Sequence, residues 1–352
     1  MVSKRRSSLI LPSLPEDVII DILARSSRFD YPALSLVSKH FRSLVASPDL
    51  YARRSLLACK EHCIYVALFD IDSCDFYRWY ILCRKADGRH CLVRAPSTFS
   101  YFYYHAGAVA VGSRIYVFGV TDQTNMTTNA FSMDCRSHTV EPIPSIPVPL
   151  VCTFAGFVDG KIYVIGDGAG DHYPEKAMLV FDTETQKWEH VMTTPEMNKA
   201  LTTSYAYVVM ADKIYTMDCS GRSYVYDPKE SKWETEDMLR SVYWENACVV
   251  DDVLYYRDWF VNTLRAYDPI QKSWGVVEGL KELLAAPISS KWSRTLNYGG
   301  NLALLFGRPS GIWCAEISLE RSQGGQIWGK VEWCKHVLTG NFRVKKSLDV
   351  VV

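Results

Sequence analysis

The sequence of 352 residues contains no run of the ~18 apolar residues that a membrane-spanning helix requires. Its first 11 residues lack the long apolar stretch that precedes the cleavage site of a secretory signal peptide. Neither charge is in excess, because 39 Lys and Arg residues balance 39 Asp and Glu residues. No overall field therefore favours nucleic acid or an anionic membrane. We expect a protein of the cytoplasm, the nucleus or both that binds neither of these.

The 11 cysteines show neither a disulfide framework nor a zinc motif. Their number is odd and their spacing irregular, so we expect reduced thiols. The densest group, Cys59, His62 and Cys63, has no second ligand pair at zinc spacing. We expect no metal site and no other cofactor.

Motifs of the common enzyme classes are also missing. The sequence contains neither His-Glu-x-x-His nor Gly-x-Ser-x-Gly. Its most glycine-rich segment, "IYVIGDGAGD", is followed by Pro174 and the strand-like "AMLVFD", where a dinucleotide-binding loop would open a helix. The sequence therefore predicts no catalytic residue.

A phrase of about ten residues recurs through the chain instead. "LVFDTETQKW", "YVYDPKESKW" and "RAYDPIQKSW" each follow a segment such as "DGKIYVIG" or "ADKIYTMD". Five such units can be aligned on an Ile or Leu at positions 115, 162, 214, 254 and 302. A period of 40 to 52 residues between these positions indicates a repeat architecture.

Each unit contains four short runs rich in β-branched and aromatic residues, for example "TFAGFVD", "KIYVIG", "AMLVFD" and "KWEHVM". One such unit cannot bury both of its faces, so the units must stack, and a circular stack is a β-propeller. An upstream unit with "CIYVALF", "RWYILC" and "HCLVRAP" has only three runs, and we expect residues 347–352 to supply its fourth strand. The sequence thus predicts a mainly β fold with a six-bladed propeller over residues 57–352.

The repeats resemble the kelch repeat, whose period is about 50 residues. Kelch blades usually carry two glycines after the second strand, whereas this chain has Gly119-Val120, Gly166-Asp167, Met217-Asp218, Arg257-Asp258 and Gly307-Arg308 at those places. Some kelch propellers are copper oxidases, so an oxidase is one alternative function. Its nearest candidate ligands are Tyr103, Tyr104 and His105.

The N-terminal region has helical periodicity. Ser13 and Glu16 have the spacing of a capping box, and the apolar stripe Leu14, Val18, Ile19, Ile22 and Leu23 follows. Residues 1–9 form a basic tail with "KRR" at positions 4–6, which is either a nuclear import signal or a solvated end. The apolar positions either pack on the propeller or bind a partner.

The segments "LPEDVIIDIL", "ALSLVSKHFRSLV" and "DLYARRSLL" resemble an F-box in that order and spacing, over residues 10–56. An F-box followed by degenerate kelch repeats resembles the plant F-box/kelch family. The resemblance implies a substrate receptor of a Skp–cullin–F-box (SCF) ubiquitin ligase, which would bind a Skp-family adaptor and through it the cullin and RING subunits. A kelch scaffold outside any ligase is the other alternative. Some of the residues that match the F-box pattern must form the core of this module and others contact the adaptor, and the sequence does not sort them. These candidate adaptor contacts are Leu14, Pro15, Ile19, Leu23, Leu34, Val37, Ser38, Lys39 and Phe41.

A comparison of the repeats with one another suggests where a substrate binds. Positions at the start of the first strand of each unit differ between units, while the strand core downstream stays small or apolar. Variable loop residues would give the same pattern, but Tyr and Trp dominate binding hot spots. We therefore expect a protein-binding rim that contains Tyr104, His105, Tyr243, Trp244, Trp259, Phe260 and Trp292.

Overall fold

The structure is a computed structural model that describes residues 14–72, 77–85, 87–95, 106–119, 128–168, 176–192, 204–239, 243–285 and 292–352. It contains two compact units, one ending at Glu61 and the other spanning His62–Val351. Among the helices of the described residues, none is long and apolar enough to cross a membrane.

The first unit is helical. A short 3-10 turn at Arg28–Asp30 joins its first two helices. Helix α1 begins at Glu16 with Pro15 as its N-cap residue, and Ser13 of the predicted capping box lies outside the described residues. Ser38 caps α3 by accepting a hydrogen bond from the Phe41 N–H at 3.1 Å. The helices are α1 (Glu16–Arg25), α2 (Tyr31–Leu34), α3 (Lys39–Val45) and α4 (Pro48–Leu56).

The core of this unit combines apolar side chains with one buried cation. The Arg54 guanidinium is 2% exposed and donates hydrogen bonds to the carbonyls of Ala24 and Ser26 at 3.1 and 2.8 Å. It also lies 3.0 Å from a carboxylate oxygen of Glu61. Arg54 therefore links α4 to the end of α1. The apolar core consists of Leu23, Ala24, Tyr31, Leu44, Leu50 and Tyr51.

The second unit consists mainly of antiparallel sheets built from consecutive strands. Its C-terminal strand, β24, pairs with β1 and completes the first sheet in the order β24-β1-β2-β3. Strand β24 begins at Phe342, five residues before the predicted closing strand. The strands of this sheet are β1 (His62–Asp70), β2 (Arg78–Arg84), β3 (His90–Arg94) and β24 (Phe342–Val351).

Three further sheets follow the chain in order, each with four strands. The first has β4 (Gly107–Val111), β5 (Arg114–Phe118), β6 (Ala130–Asp134) and β7 (Thr139–Pro142). The second has β8 (Leu150–Val158), β9 (Lys161–Gly168), β10 (Lys176–Asp182) and β11 (Lys187–Met192). The third has β12 (Ser204–Met210), β13 (Lys213–Asp218), β14 (Ser223–Asp227) and β15 (Lys232–Thr235).

The last sheet has eight strands and consists of two four-stranded meanders. They join where β19 and β23 run parallel over two residue pairs, Val277 with Ile327 and Glu278 with Trp328. A five-residue helix, α5 (Lys281–Ala285), lies between the meanders in the chain. The strands are β16 (Cys248–Val250), β17 (Val253–Asp258), β18 (Thr263–Asp268), β19 (Ser273–Glu278), β20 (Ser293–Tyr298), β21 (Asn301–Arg308), β22 (Gly311–Arg321) and β23 (Ile327–Thr339).

The recurring phrase forms the same hairpin each time. In "YVYDPKESKW", β14 ends at Asp227, whose carboxylate accepts hydrogen bonds from the N–H groups of Lys229 and Glu230 at 2.9 and 3.3 Å. Asp182 and Asp268 accept equivalent bonds in their own turns. The turn closes at Ser231 with φ of 51°, a left-handed conformation that recurs at the equivalent positions.

The sheets form a propeller-like arrangement. Their six inner strands contact one another in cyclic order, from β4 through β8, β12, β16, β20 and β24 back to β4. Apolar clusters lie between successive sheets, and Trp188 contributes to one of them while its indole N–H donates to the carbonyl of Pro144 in the preceding loop at 2.9 Å. The structure has five separate hydrogen-bonded sheets rather than the predicted six, because β19 and β23 join two four-stranded meanders.

Candidate protein-interaction sites

The first helix of the helical unit has an exposed apolar stripe. Leu14, Val18 and Ile22 are 54%, 38% and 52% exposed. Because they are four residues apart, they lie on one side of α1 and of the residues just before it. Three apolar side chains in a row at the surface of so small a unit are typical of a protein-binding surface.

A second exposed apolar pair lies between α2 and α3. Leu36 and Val37 are 77% and 66% exposed. Ser38 follows directly, and its capping bond to Phe41 fixes the backbone at this point. Lys39 is also exposed. This segment therefore presents apolar side chains from a defined backbone.

The structure sorts the nine predicted adaptor contacts into three groups by their exposure. Leu14, Pro15, Val37, Ser38 and Lys39 are exposed. Leu23 is 1% exposed and belongs to the core, so it is one of the matching residues that pack inside the unit. Ile19, Leu34 and Phe41 are half-buried and pack against that core. Sequence reasoning missed Leu36 and Leu56, and it grouped Val18 and Ile22 with inward-facing neighbours.

Those predicted rim residues that the structure describes lie at one end of the sheets. In these antiparallel sheets, the start of an inner strand and the turn between the second and third strands are at the same end. Tyr243, Trp244 and Trp292 precede inner strands, and Trp259 and Phe260 occupy the turn between β17 and β18. Tyr104 and His105 fall outside the described residues.

The turn between β17 and β18 presents the most exposed aromatic pair. Trp259 and Phe260 are 47% and 72% exposed, and their rings stack with centroids 3.6 Å apart. Asp258 holds the turn by accepting hydrogen bonds from the N–H groups of Phe260 and Val261 at 3.1 and 3.4 Å. Val261 is 62% exposed and extends the apolar surface, although the sequence comparison did not select it.

Tyr243 and Trp244 are adjacent in sequence but differ completely in burial. Tyr243 is 54% exposed, and its hydroxyl lies 3.5 Å from the carbonyl of Cys219 in the neighbouring sheet. Trp244 is 0% exposed and packs among Leu239, Leu254 and Tyr256. A side chain in this core cannot contact a partner, so the assignment of Trp244 to the rim was wrong.

Trp292 lies where a central channel opens. It is half-buried and lines two cavities, one of about 750 Å³ along the inner strands and one of about 870 Å³ that also includes Arg308 and Phe342. The channel cavity has residues of all six inner strands in its wall. Trp292 therefore connects the predicted rim to the channel, which the sequence did not reveal.

Comparisons with known proteins identify both units. The family model of the F-box domain matches residues 11–53, and that of the FKB95, Kelch-repeats domain matches residues 79–338. The chain belongs to the F-box/kelch-repeat family. Its F-box is thus the helical unit, and its kelch repeats are the sheets of the propeller-like unit.

Several relatives match over nearly the whole chain. F-box/kelch-repeat protein At4g38940 of Arabidopsis thaliana is 41% identical over 358 aligned residues, which cover 97% of this chain and 95% of that protein. F-box/kelch-repeat protein At4g39240 of the same plant is 38% identical and covers 93% and 86%. Putative F-box/kelch-repeat protein At3g27910, also from this plant, is 37% identical and covers 93% and 88%. These relatives therefore share the order of an F-box followed by kelch repeats over nearly the whole chain.

The oxidase alternative depends on a copper site. Its candidate ligands Tyr103, Tyr104 and His105 lie outside the described residues. Within the described parts of the chain, no group of three or more His, Cys, Asp and Glu side chains could hold a metal ion.

Proposed function

We propose that this F-box/kelch protein is the substrate receptor of an SCF-type ubiquitin ligase. Its F-box binds a Skp-family adaptor, which links it to the cullin and RING subunits. The observation that carries this proposal is the exposed apolar stripe of Leu14, Val18 and Ile22, together with Leu36 and Val37. Burying these side chains in a partner would remove apolar surface from water, the main favourable contribution to protein association.

The propeller captures a protein substrate through the rim at the channel mouth. The rim residues that support this assignment are Tyr243, Trp259, Phe260, Val261 and Trp292. Large aromatic side chains on a hydrogen-bonded turn lose little conformational entropy on binding. The propeller has six blades in this proposal, with the two meanders of the eight-stranded sheet counted separately, and the cyclic contacts of six inner strands support that count.

The chain itself performs no chemistry in this proposal. The cullin–RING part of the complex transfers ubiquitin, and the receptor contributes proximity by holding the substrate near it. Proximity of this kind raises the effective concentration of the reacting groups. Substrate turnover by the isolated chain, or stoichiometric copper in the purified protein, would contradict this assignment.

Adaptor binding by surface variants tests the proposal. The double substitution Leu14→Ala/Pro15→Ala should weaken adaptor binding by about 2 kcal/mol or more, as expected for buried anchors of an interface. Because both residues are exposed, the helical circular dichroism signal should not change. Leu23→Ala provides the contrast, since it should reduce binding and helicity together. Full adaptor binding by the double variant would refute the docking model, and no adaptor binding by the unmodified chain would favour a scaffold.

A further inference from the structure

The channel cavity concentrates positively charged side chains. Arg294 lies on β20, and Arg343 and Lys346 lie on β24, and all three line the cavity of about 750 Å³. Among the residues that the structure describes, none of the three forms an ion pair. By contrast, Arg114 on β5 and Arg321 on β22, which lie outside the cavity, pair with carboxylates. The cavity therefore has an excess of positive charge.

The two carboxylates in the cavity wall offset the charge of these cations only in part. Asp349 lies 2.6 Å from Nδ1 of His62 and accepts a hydrogen bond from the N–H of Gly299 at 3.3 Å. Glu245 is exposed, and its charge raises the pKa of Arg294, although the burial of Arg294 lowers that pKa by more. A concave surface with uncompensated positive charge and low-dielectric walls focuses an attractive field on anions.

Lys346 reaches across the channel to the opposite wall. Its ammonium group donates a hydrogen bond to the hydroxyl of Tyr207 on β12, and it lies 4.6 Å from the centre of the Tyr207 ring. The Tyr207 ring is held in turn by stacking on Phe154, with centroids 4.6 Å apart. A cation over an aromatic face is stabilised without being neutralised, so Lys346 retains its charge for a ligand.

Arg294 is positioned by an asparagine that is itself fixed. The guanidinium Nη2 donates to Oδ1 of Asn246 at 2.5 Å, and the carbonyl of Asn246 accepts a hydrogen bond from the N–H of Thr295 at 3.2 Å. Burial lowers the pKa of Arg294 to about 10, which leaves it charged at neutral pH while showing that its charge is poorly solvated. An anion beside Arg294 would supply the compensation that Asn246, a neutral group, cannot.

We infer that the central channel binds a compact polyanion, a small molecule with at least two phosphate or carboxylate groups. Arg294 and Lys346 provide the charge, Tyr207 and Asn246 hold them, and Arg343 adds a third cation at the mouth. The volume of about 750 Å³ is in the range of small-molecule sites. A polypeptide segment would have to displace the contact between Lys346 and Tyr207, which divides the channel. Such a ligand is additional to the protein substrate and does not depend on the ligase assignment.

Titration of the full-length chain with sodium tripolyphosphate and with citrate tests this inference. Isothermal calorimetry should detect binding of at least one probe, with a dissociation constant that rises with salt concentration because the contacts are ionic. The double variant Arg294→Gln/Lys346→Gln should bind at least tenfold more weakly. Arg89→Gln/Lys330→Gln is the matched control, since it removes the same two charge types from exposed ion pairs outside the cavity. This control should bind as the unmodified chain does.

The unliganded variants distinguish a binding role from a structural one. Removal of two unpaired cations should leave the melting temperature unchanged or raise it, while the increase in melting temperature caused by the probe should disappear. If the double variant does not fold, Lys346→Gln alone should still weaken binding. Equal binding by the double variant and the control would overturn the inference. Absence of binding by both probes would also overturn the inference, even if an acidic peptide such as octaglutamate binds.

Discussion

The indole ring of Trp233 lies 5.1 Å from the ring of Tyr226, its paired neighbour across β14 and β15. The same cross-strand pair occurs as Phe181 with Trp188 at 5.0 Å and as Tyr267 with Trp274 at 5.1 Å. Each tryptophan is the second residue of the fourth strand of its meander and packs against an apolar cluster. The repeated phrase is therefore a unit of packing as well as of sequence.

Removal of one such ring should loosen the contact between sheets. We expect Trp233→Ala to lower the free energy of unfolding by about 2 to 3 kcal/mol, since the ring is only half-buried and large-to-small changes in full cores cost more. Trp233→Phe should cost less because it keeps a ring beside Tyr226. Trp328→Ala, at a position that is 51% exposed, serves as the control. Chemical denaturation of the three variants gives the comparison, and equal losses for Trp233 and Trp328 would contradict the packing role.

The turn aspartates should make the stability of the propeller acid-sensitive. The N–H of Thr185 is the main cause that lowers the pKa of Asp182, and hydrogen bonding to the Lys213 ammonium is the main cause for Asp227. Carboxyls with lowered folded-state pKa values contribute stability above their unfolded-state pKa of about 4. That contribution is lost as the pH falls through the folded-state values.

A pH series of melting temperatures checks this prediction. Asp182→Asn/Asp227→Asn should melt below the unmodified chain at pH 7, and the difference should shrink towards pH 3, where the native carboxylates become protonated. A difference that stays constant over this range would mean that the charge of the two aspartates contributes nothing.

The repeats were predictable because their signals are local. A run such as "KIYVIG", an Asp at a turn and a tryptophan after it determine one hairpin without help from distant residues. The join between β19 and β23 was not predictable, because it depends on how two meanders approach each other over two residue pairs. The charged channel was equally hidden, since Lys346 and Tyr207 are 139 positions apart in sequence.

The exposure of individual side chains could not be predicted from the sequence either. Leu23 and Ile22 are neighbours in one apolar stripe, yet Leu23 is 1% exposed and Ile22 is 52% exposed. Tyr243 and Trp244 differ in the same way. Periodicity locates an apolar stripe, but the helices or sheets that cover part of it decide which positions remain for a partner.

The buried Arg54 should be essential for the F-box fold. Because its guanidinium holds two carbonyls and lies beside Glu61, Arg54→Met should destabilise the helical unit by about 3 kcal/mol, the low end for breaking a buried ion pair. Arg53→Met is the matched control, since Arg53 pairs with Asp21 at half-exposed positions and such pairs contribute at most about 1 kcal/mol. Helical circular dichroism during thermal unfolding measures both. Similar melting of the two variants would show that Arg54 is not structurally required.

The C-terminal strand should be required for a soluble propeller. Strand β24 pairs with β1 from His62 to Asp70, so deletion of residues 346–352 would expose the edge of β1. Unpaired edges promote association between chains. We expect lower solubility and a lower melting temperature, both improved by adding a synthetic peptide of residues 342–352. Unchanged melting and solubility after the deletion would show that this pairing is dispensable.

The exposed aromatic pair should be needed for substrate capture but not for adaptor binding. Trp259 and Phe260 lie at the end of the sheet where the channel opens, whereas Ile270, which is 89% exposed, lies in the turn between β18 and β19 at the opposite end of the same sheet. Proximity labelling with the full chain, compared between Trp259→Ala/Phe260→Ala and Ile270→Ala, separates the two ends. Proteins whose labelling is lost in the first variant and retained in the second are substrate candidates, because hot-spot aromatics contribute about 2 kcal/mol or more each. Adaptor binding should persist in both variants. Loss of labelling with Ile270→Ala instead would place the substrate surface at the opposite end of the sheets.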